Sequence, residues 1–391
     1  MIYELREGEY GKVRPVFEEL RNYHIYIDAV IEGGLPGRIV VDDPQSPETA
    51  LIWGKSSDAG FYLEGNPDND AFNRSLNQWI LEEVYPEAKG LSGVVDYALY
   101  YPPEAWEDRI DVILKGTSAN RDARRYFEFE RPTGAWEADI PPGFHMVQVD
   151  RHLLERTGLK NIDHVIKWTR DPWQSTAHFL EKGFGFCLVN GNDIVSWCLA
   201  DYVCGQRCEI GIHTDERYRR RGFATLTVAA TVDFCLSKGM TKIGWHCWAP
   251  NLASAATAQK AGFGHVLDHP VYHAWFNAFD NCLVRGHSAF GRRQFRRSAA
   301  WYEKAFEMAD MDAQAFLDSE IFSDSGIRKW CYYQAACAHA QTGESDAAVR
   351  TLGKAVDNGW TDVERLREDE NLNGLHGTAE WEALLSRLEA P

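Results

Sequence analysis

The sequence predicts an α/β (α+β) protein, built on a mixed sheet and continued by an all-α region, and three observations predict it. Three strand-like runs follow one another in quick succession, Phe184–Val189, Ile194–Tyr202 and Cys208–Thr214, with Asn190–Asp193 and Cys204–Gln206 as the turns between them. A helix, a strand and a second helix follow, the last ended by Gly262. Beyond residue 276 the strand pattern stops and helical spacing takes over. The boundaries read as 1–140 for an α/β region, 143–276 for a second α/β region and 277–391 for the helical one.

A chain of 391 residues exceeds one ordinary core, so two or three domains are expected. The composition, 45% hydrophobic with 14 Trp, is that of filled cores and not of a disordered chain. A net charge of −17 repels phosphate backbones and argues against a nucleic-acid partner. It suits a cationic substrate such as an amine, or simply solubility. The amino terminus lacks an apolar core segment, and the most apolar helix, Phe223–Leu236, carries Thr225, Thr227, Thr231 and Asp233, so no membrane span is expected. Nine cysteines, an odd number, fit reduced thiols and a cytoplasmic location. Cys204 and Cys208 have the spacing of half a zinc site. No second pair stands nearby, so they read as strand or core residues, and no metal centre is expected.

In the first region Lys12–Arg21 reads as a helix with Pro15 in its first turn, and Ile27–Ile31 and Arg38–Val41 read as strands about a glycine-rich turn. Ala50–Trp53 and Gly60–Leu63 read as strands, Asn69–Tyr85 as a helix, Val94–Tyr101 and Arg125–Glu130 as strands, and Pro132–Pro142 as a linker. No catalytic spacing is visible there. In the second region Phe144–Val149 is a strand, Asp150–Leu180 is helical with a break at Asp171-Pro172, Gly222–Lys238 and Leu252–Ala261 are helices, Lys242–Trp248 is a strand, and His265–Leu267 with Tyr272–Phe276 form a last pair.

The sharpest feature is the loop Arg219-Arg220-Arg221-Gly222-Phe223-Ala224-Thr225, which leaves a strand and opens a helix. The unpaired N–H groups and positive end of a helix start can hold a pyrophosphate. Gly222 allows close backbone approach, Ala224 is small, the arginines add charge and Thr225 adds a hydroxyl. The loop is neither a Walker loop nor a three-glycine dinucleotide fingerprint. Downstream stands Asn251-Leu252-Ala253-Ser254-Ala255-Ala256-Thr257-Ala258-Gln259-Lys260-Ala261-Gly262-Phe263.

The loop resembles the Arg/Gln-x-x-Gly-x-Gly/Ala pyrophosphate loop of GNAT N-acetyltransferases. The downstream stretch resembles that family's Asn-x-x-Ser/Ala-x-x-x-Tyr-x-Lys-x-Gly-Phe signature. The resemblance covers about a third of the chain and implies acetyl-CoA as co-substrate. It implies that Arg219, Arg220, Arg221, Gly222, Phe223, Ala224 and Thr225 hold the CoA pyrophosphate. It also implies that Asn251 and Ser254 meet the pantetheine arm, and that backbone groups of Ile212, His213 and Thr214 meet the thioester carbonyl. Asn251 and Ser254 also read as a helix cap. The family's general-acid tyrosine falls at Ala258, which cannot donate a proton.

Strand alternation puts Cys208, Ile210 and Ile212 on one face of their strand and Glu209, Gly211 and His213 on the other, toward the cleft. An amine nucleophile must lose a proton before attack, and Glu209 is the first candidate base, with His213 second. The alternative for Glu209 is a solvated sheet face, and His246 reads as a strand wall residue. Transfer of an acetyl group from acetyl-CoA to an amine of a small molecule or peptide is the leading expectation. A non-catalytic acyl-CoA-binding protein whose helical tail recruits a protein partner is the alternative. The first region, similar in strand and helix order but without the phosphate loop, reads as a degenerate second copy of the same fold.

In the third region Ser298, Tyr302 and Ala305 repeat the small-large-small spacing of Ala348, Leu352 and Ala355, as helical hairpins require. The segments resemble tetratricopeptide repeats, with Glu307–Gly326 as an insertion and Thr378–Leu388 as a tail helix.

Overall fold

The computed structural model describes residues 1–57, 60–132, 134, 136–311, 318–319, 321–322 and 324–389. The chain forms two compact units, Met1–His273 and Ala274–Pro391.

The strands are β1 Tyr3–Glu4, β2 Gly37–Val41, β3 Thr49–Gly54, β4 Phe61–Gly65, β5 Asp96–Tyr100, β6 Asn120–Phe129, β7 Phe144–Gln148, β8 Gly185–Asn190, β9 Asp193–Cys204, β10 Arg207–Thr214, β11 Lys242–Trp248 and β12 Phe263–Trp275. They lie in one sheet in the order β1-β2-β3-β4-β5-β12-β6-β11-β10-β9-β8-β7. The order is two runs of six with their last strands exchanged: β12 stands next to β5, and β6 next to β11. In each run the first three pairings are antiparallel and the fourth, β4–β5 or β10–β11, is parallel.

The helices that frame the sheet include α1 Ile25–Ile31, α2 Asp70–Trp79, α3 Ile162–Arg170, α4 Phe223–Ser237 and α5 Leu252–Lys260. Two elements of the first region differ from the sequence expectation. Ile25–Ile31 is a helix and not a strand, and all seven of its residues are buried. A fully buried short run shows neither period, so pattern alone cannot separate the two states. Lys12–Arg21 is not one helix but two short 3₁₀ turns, Glu7–Val13 and Leu20–Asn22, with Pro15 between them. The last pair expected in the second region is a single strand, β12, whose ladder with β6 shifts register between His265 and Leu267. The expected linker Pro132–Pro142 includes residues 133 and 135, which lie outside the described residues, and ends in a short 3₁₀ turn at Glu137–Asp139.

Cys208 and Ile210 share a core with Val228, Val232 and Cys235 of α4, so the apolar face of β10 meets that helix. The first-run core gathers α1, β2 and β3 residues together with Tyr202 of β9 and Val271 of β12.

The second unit is helical: α6 Ala278–Gly291, α7 Phe295–Met311, α8 Ser325–Thr342, α9 Ser345–Asp357 and α10 Ala379–Glu389. Ser298, Tyr302, Ala305, Ala348, Leu352 and Ala355 are all buried, as their spacing requires. Gly286 of α6 lies against Tyr302 of α7, where a Cβ would come within 3.0 Å of the ring, so the pair approaches closely. Gly343 ends α8 at φ +81°, the left-handed cap that favours glycine. The tail helix α10 supplies Trp381, Leu384 and Leu385 to the core of α8 and α9. Within the expected insertion, α7 runs on to Met311, and residues 312–317, 320 and 323 lie outside the described residues. Among the described residues no helix is long and apolar enough to cross a membrane.

Candidate active site

β10 and β11 pair in parallel only from Arg207–Lys242 to Glu209–Gly244, whereas β10 stays paired with β9 as far as Thr214. Beyond Glu209 the two strands part. Two cavities, about 270 Å³ and about 540 Å³, open in this part of the sheet and share Ile212, Asn251 and Ser254 in their walls.

The larger cavity is lined by Ile212, His213, Thr214, Arg219, Arg220, Gly222, Phe223, Ala224 and Thr225. Gly222 stands before the first turn of α4 at φ +81°, and no side chain caps that end, so the leading amides of the helix lack a side-chain acceptor. Nothing of the protein lies within 4 Å of a Cβ placed on Gly222. Glycine is therefore favoured by the backbone conformation, and the space above it stands open to a ligand. Arg220 also takes a positive φ, 62°. Arg221 does not line the cavity; its guanidinium lies over the rings of Phe144, Tyr218 and Phe223. Arg219 reaches Glu216 and the Thr214 carbonyl.

Asn251 Oδ1 accepts the Ser254 N–H at 3.1 Å, and Ser254 Oγ accepts the Trp245 indole N–H at 3.1 Å. The Asn251 side chain therefore caps α5, and both residues border both cavities. Ala258 is fully buried in the core beneath and borders neither cavity. His213 stands on the larger cavity with its ring 4.5 Å from that of Trp197. Burial, then Arg219 and His164, push its imidazole below the usual value and hold it neutral.

The smaller cavity holds Glu209, only 9% exposed, whose Oε1 lies 2.8 Å from His246 Nδ1. Glu209 and His213, expected to share one cleft, thus lie on different cavities. A second carboxylate, Asp201, was not visible as a site residue in the sequence. The β9–β10 register jumps from Tyr202 opposite Glu209 to Ala200 opposite Ile210, which makes Asp201 the extra residue of a bulge. The bulge turns Asp201 over Gly211, where it accepts the Trp168 indole N–H at 2.7 Å, beside the Glu209 face. Only Gly211 leaves that room, because a Cβ there would lie 2.4 Å from Asp201 Oδ2. The first region adds His24, Tyr26, Tyr62, Tyr100 and Arg124 to the wall. No local spacing signals these residues, since they come from four separate places and are joined only by the fold.

Parting strands between a helix amino end and a carboxylate-lined cleft form a group-transfer site, and the class is that of N-acetyltransferases. A model of the GNAT acetyltransferase family matches residues 14–272, and the chain belongs to that family. The chain is 24% identical over 275 residues to the uncharacterized N-acetyltransferase YdfB of Bacillus subtilis (strain 168), covering 70% of this chain and 99% of that protein. It shares the fold of a GCN5-related N-acetyltransferase-like protein from Streptococcus suis 89/1591, with a TM-score of 0.51 at 24% identity, covering 68% of this chain and 98% of that one. The family match ends before the helical unit.

Proposed function

We propose that the protein transfers an acetyl group from acetyl-CoA to the amine of a small molecule. The observation that carries this reading is the pair of adjoining cavities that share Ile212, Asn251 and Ser254. The larger takes the pyrophosphate at the amino end of α4 and the pantetheine arm past Asn251. The smaller takes the acceptor. Its volume, about 270 Å³, suits a compact amine better than a peptide segment.

In this reading Glu209 takes a proton from the bound ammonium. The freed amine attacks the thioester carbonyl, forming the N–C bond; the C–S bond breaks as CoA thiolate leaves, and the second proton of the attacking nitrogen passes to that thiolate directly or through water, giving the amide and CoA thiol. Backbone groups of Ile212–Thr214 hold the carbonyl. Ala258 offers no proton, and a thiol with a pKa of about 8.5 leaves well enough without one. Asp201 and Glu209 together favour a cationic acceptor, and the aromatic walls cover its apolar part.

We read the first six strands as a degenerate copy of the second six, from their matching pairing pattern. The place equivalent to the arginine-rich loop is the β4–α2 connection, Asn66-Pro67-Asp68-Asn69. There Asn69 caps α2 through the Phe72 N–H, and Asp68 and Asp70 bring negative charge to that helix start. Such a turn repels a pyrophosphate. We read the helical unit as tetratricopeptide-like and as a place for a protein partner, and the nine free thiols fit a reducing cytosol.

Gly222→Val tests the cofactor site. A β-branched residue at φ +81° is strained and fills the space above the loop. Calorimetric titration is expected to show acetyl-CoA affinity reduced at least about tenfold, equivalent to about 1.4 kcal/mol. Unchanged affinity in a variant with wild-type circular dichroism would place the cofactor elsewhere. Transfer across a panel of amines then identifies the acceptor.

A further inference from the structure

We propose that His24, His246 and His269 form a binding site for a divalent transition metal of the zinc class at the floor of the smaller cavity. The three come from separate elements: His24 precedes α1, His246 lies on β11 and His269 on β12. One ring nitrogen from each lies within 4.8 Å of the others. Their ring centroids are 4.8, 4.9 and 6.0 Å apart. Three imidazoles around a tetrahedral ion, with metal–nitrogen bonds of about 2.0–2.1 Å, place their centroids about 5.2 Å apart. The rings thus already stand at nearly the right separation, and side-chain rotation brings the nitrogens in.

The stronger observation is what the rings lack. His24 and His269 are 3% and 5% exposed, and the Nε2 atoms of all three histidines are buried with no hydrogen-bond partner. One such orphan is costly and uncommon. Three in one cluster, beside a cavity, are met together by an ion accepting three lone pairs. His246 is oriented for it, because its Nδ1 faces Glu209 Oε1 at 2.8 Å, which fixes the proton there and leaves Nε2 as donor to a metal. This carboxylate–histidine arrangement recurs behind metal-bound imidazoles.

Arg124 is a nearby cation, its guanidinium 4.9 Å from the Trp248 ring centre, and the nearby anion is Glu209 at His246 Nδ1. Three imidazoles without a carboxylate in the set favour zinc, cobalt, nickel or copper over magnesium or calcium. His24 and His246 border the cavity that holds Glu209, so a fourth position is open to water or to an oxygen or nitrogen atom of the acceptor. Rings of Tyr62, Tyr100 and Tyr126 also pack on the cluster. A purely aromatic wall would explain that packing but not the three orphaned nitrogens.

The experiment uses the full chain, stripped with a chelator, dialysed and titrated with Co²⁺ alone. One equivalent is expected to give the intense visible bands of tetrahedral cobalt, and Zn²⁺ is expected to displace them. His24→Gln and His269→Gln are expected to abolish the bands, and Glu209→Gln to weaken binding about 10–100-fold without changing the ligand set. X-ray absorption on zinc-loaded wild-type protein requires no variant to fold, and is expected to show nitrogen scatterers near about 2.0 Å with an imidazole pattern. No binding tighter than about 10 µM, roughly the affinity of a weak surface site, would overturn the site. So would sulfur in the first coordination shell, or bands that persist in both folded histidine variants. None of these readouts depends on acetyl transfer, so failure here and failure of the acetyltransferase reading are separable.

Discussion

Glu209→Gln is expected to lower kcat/KM for a good amine by about 10²–10⁴-fold, the usual contribution of a positioned general base. The change keeps the shape of the side chain and its contact with His246, and removes its charge and basicity. The cofactor cavity is lined by other residues, so acetyl-CoA affinity is expected to stay near wild type. The acidic limb of the pH–rate profile is expected to flatten, because that limb reports protonation of the base. His213→Gln is expected to have a smaller effect and to leave that limb in place. His213 lies on the larger cavity with its ring 4.5 Å from that of Trp197, and does not border the cavity that holds Glu209 and Asp201. A Glu209→Gln enzyme that retained both rate and limb would move the base elsewhere, with Asp201, across the bulge, the next group to test.

How far such a site can be read from sequence depends on how local its parts are. The Arg219–Thr225 loop was legible because a strand, a glycine and a helix start within one short segment leave a chemical signature. The strand Lys242–Trp248 was legible to the residue, bounded by turn residues on both sides. Ile27–Ile31 was misread as a strand because it lies in a helix, Ile25–Ile31, whose seven buried residues in a row carry no period. Asp201 was missed because strand alternation assumes an unbroken ladder, and one bulge moves a residue to the other side. The exchange of β6 and β12 is a choice of neighbours, and no local pattern encodes neighbours. For the same reason His24, His246 and His269 gave no metal-ligand spacing, although the sheet gathers them into one cluster.

Removal of the Asp28 carboxylate is expected to destabilise the fold of Met1–His273 strongly. Asp28 lies on α1, is 3% exposed, and meets three guanidinium groups: Arg14 Nη1 at 3.1 Å, Arg21 Nε at 2.8 Å and Arg207 Nη1 at 2.8 Å. A buried carboxylate is tolerable only with such partners, and the partners depend on it equally. Asp28→Asn keeps the shape but leaves three positive groups converging on a neutral amide. The expected cost is about 3–5 kcal/mol, the range for breaking a buried ion pair from one side. For a unit of this size that lowers the melting temperature by about 6–20 °C, at about 2–4 °C per kcal/mol. Arg14→Ala is expected to cost much less, because Arg14 is half-exposed and shares Glu32, so its loss leaves Asp28 with two partners. The position of Arg207 ties stability to the site. It opens β10 opposite Lys242, at the start of the short β10–β11 ladder beyond which the strands part. Loosening that ladder is expected to weaken acetyl-CoA binding in whatever fraction of Asp28→Asn remains folded. Chemical denaturation of the two variants beside wild type measures the cost. A value for Asp28→Asn within about 1 kcal/mol of wild type, the worth of an exposed pair, would mean that water already screens the cluster and that α1 is held by its apolar contacts alone.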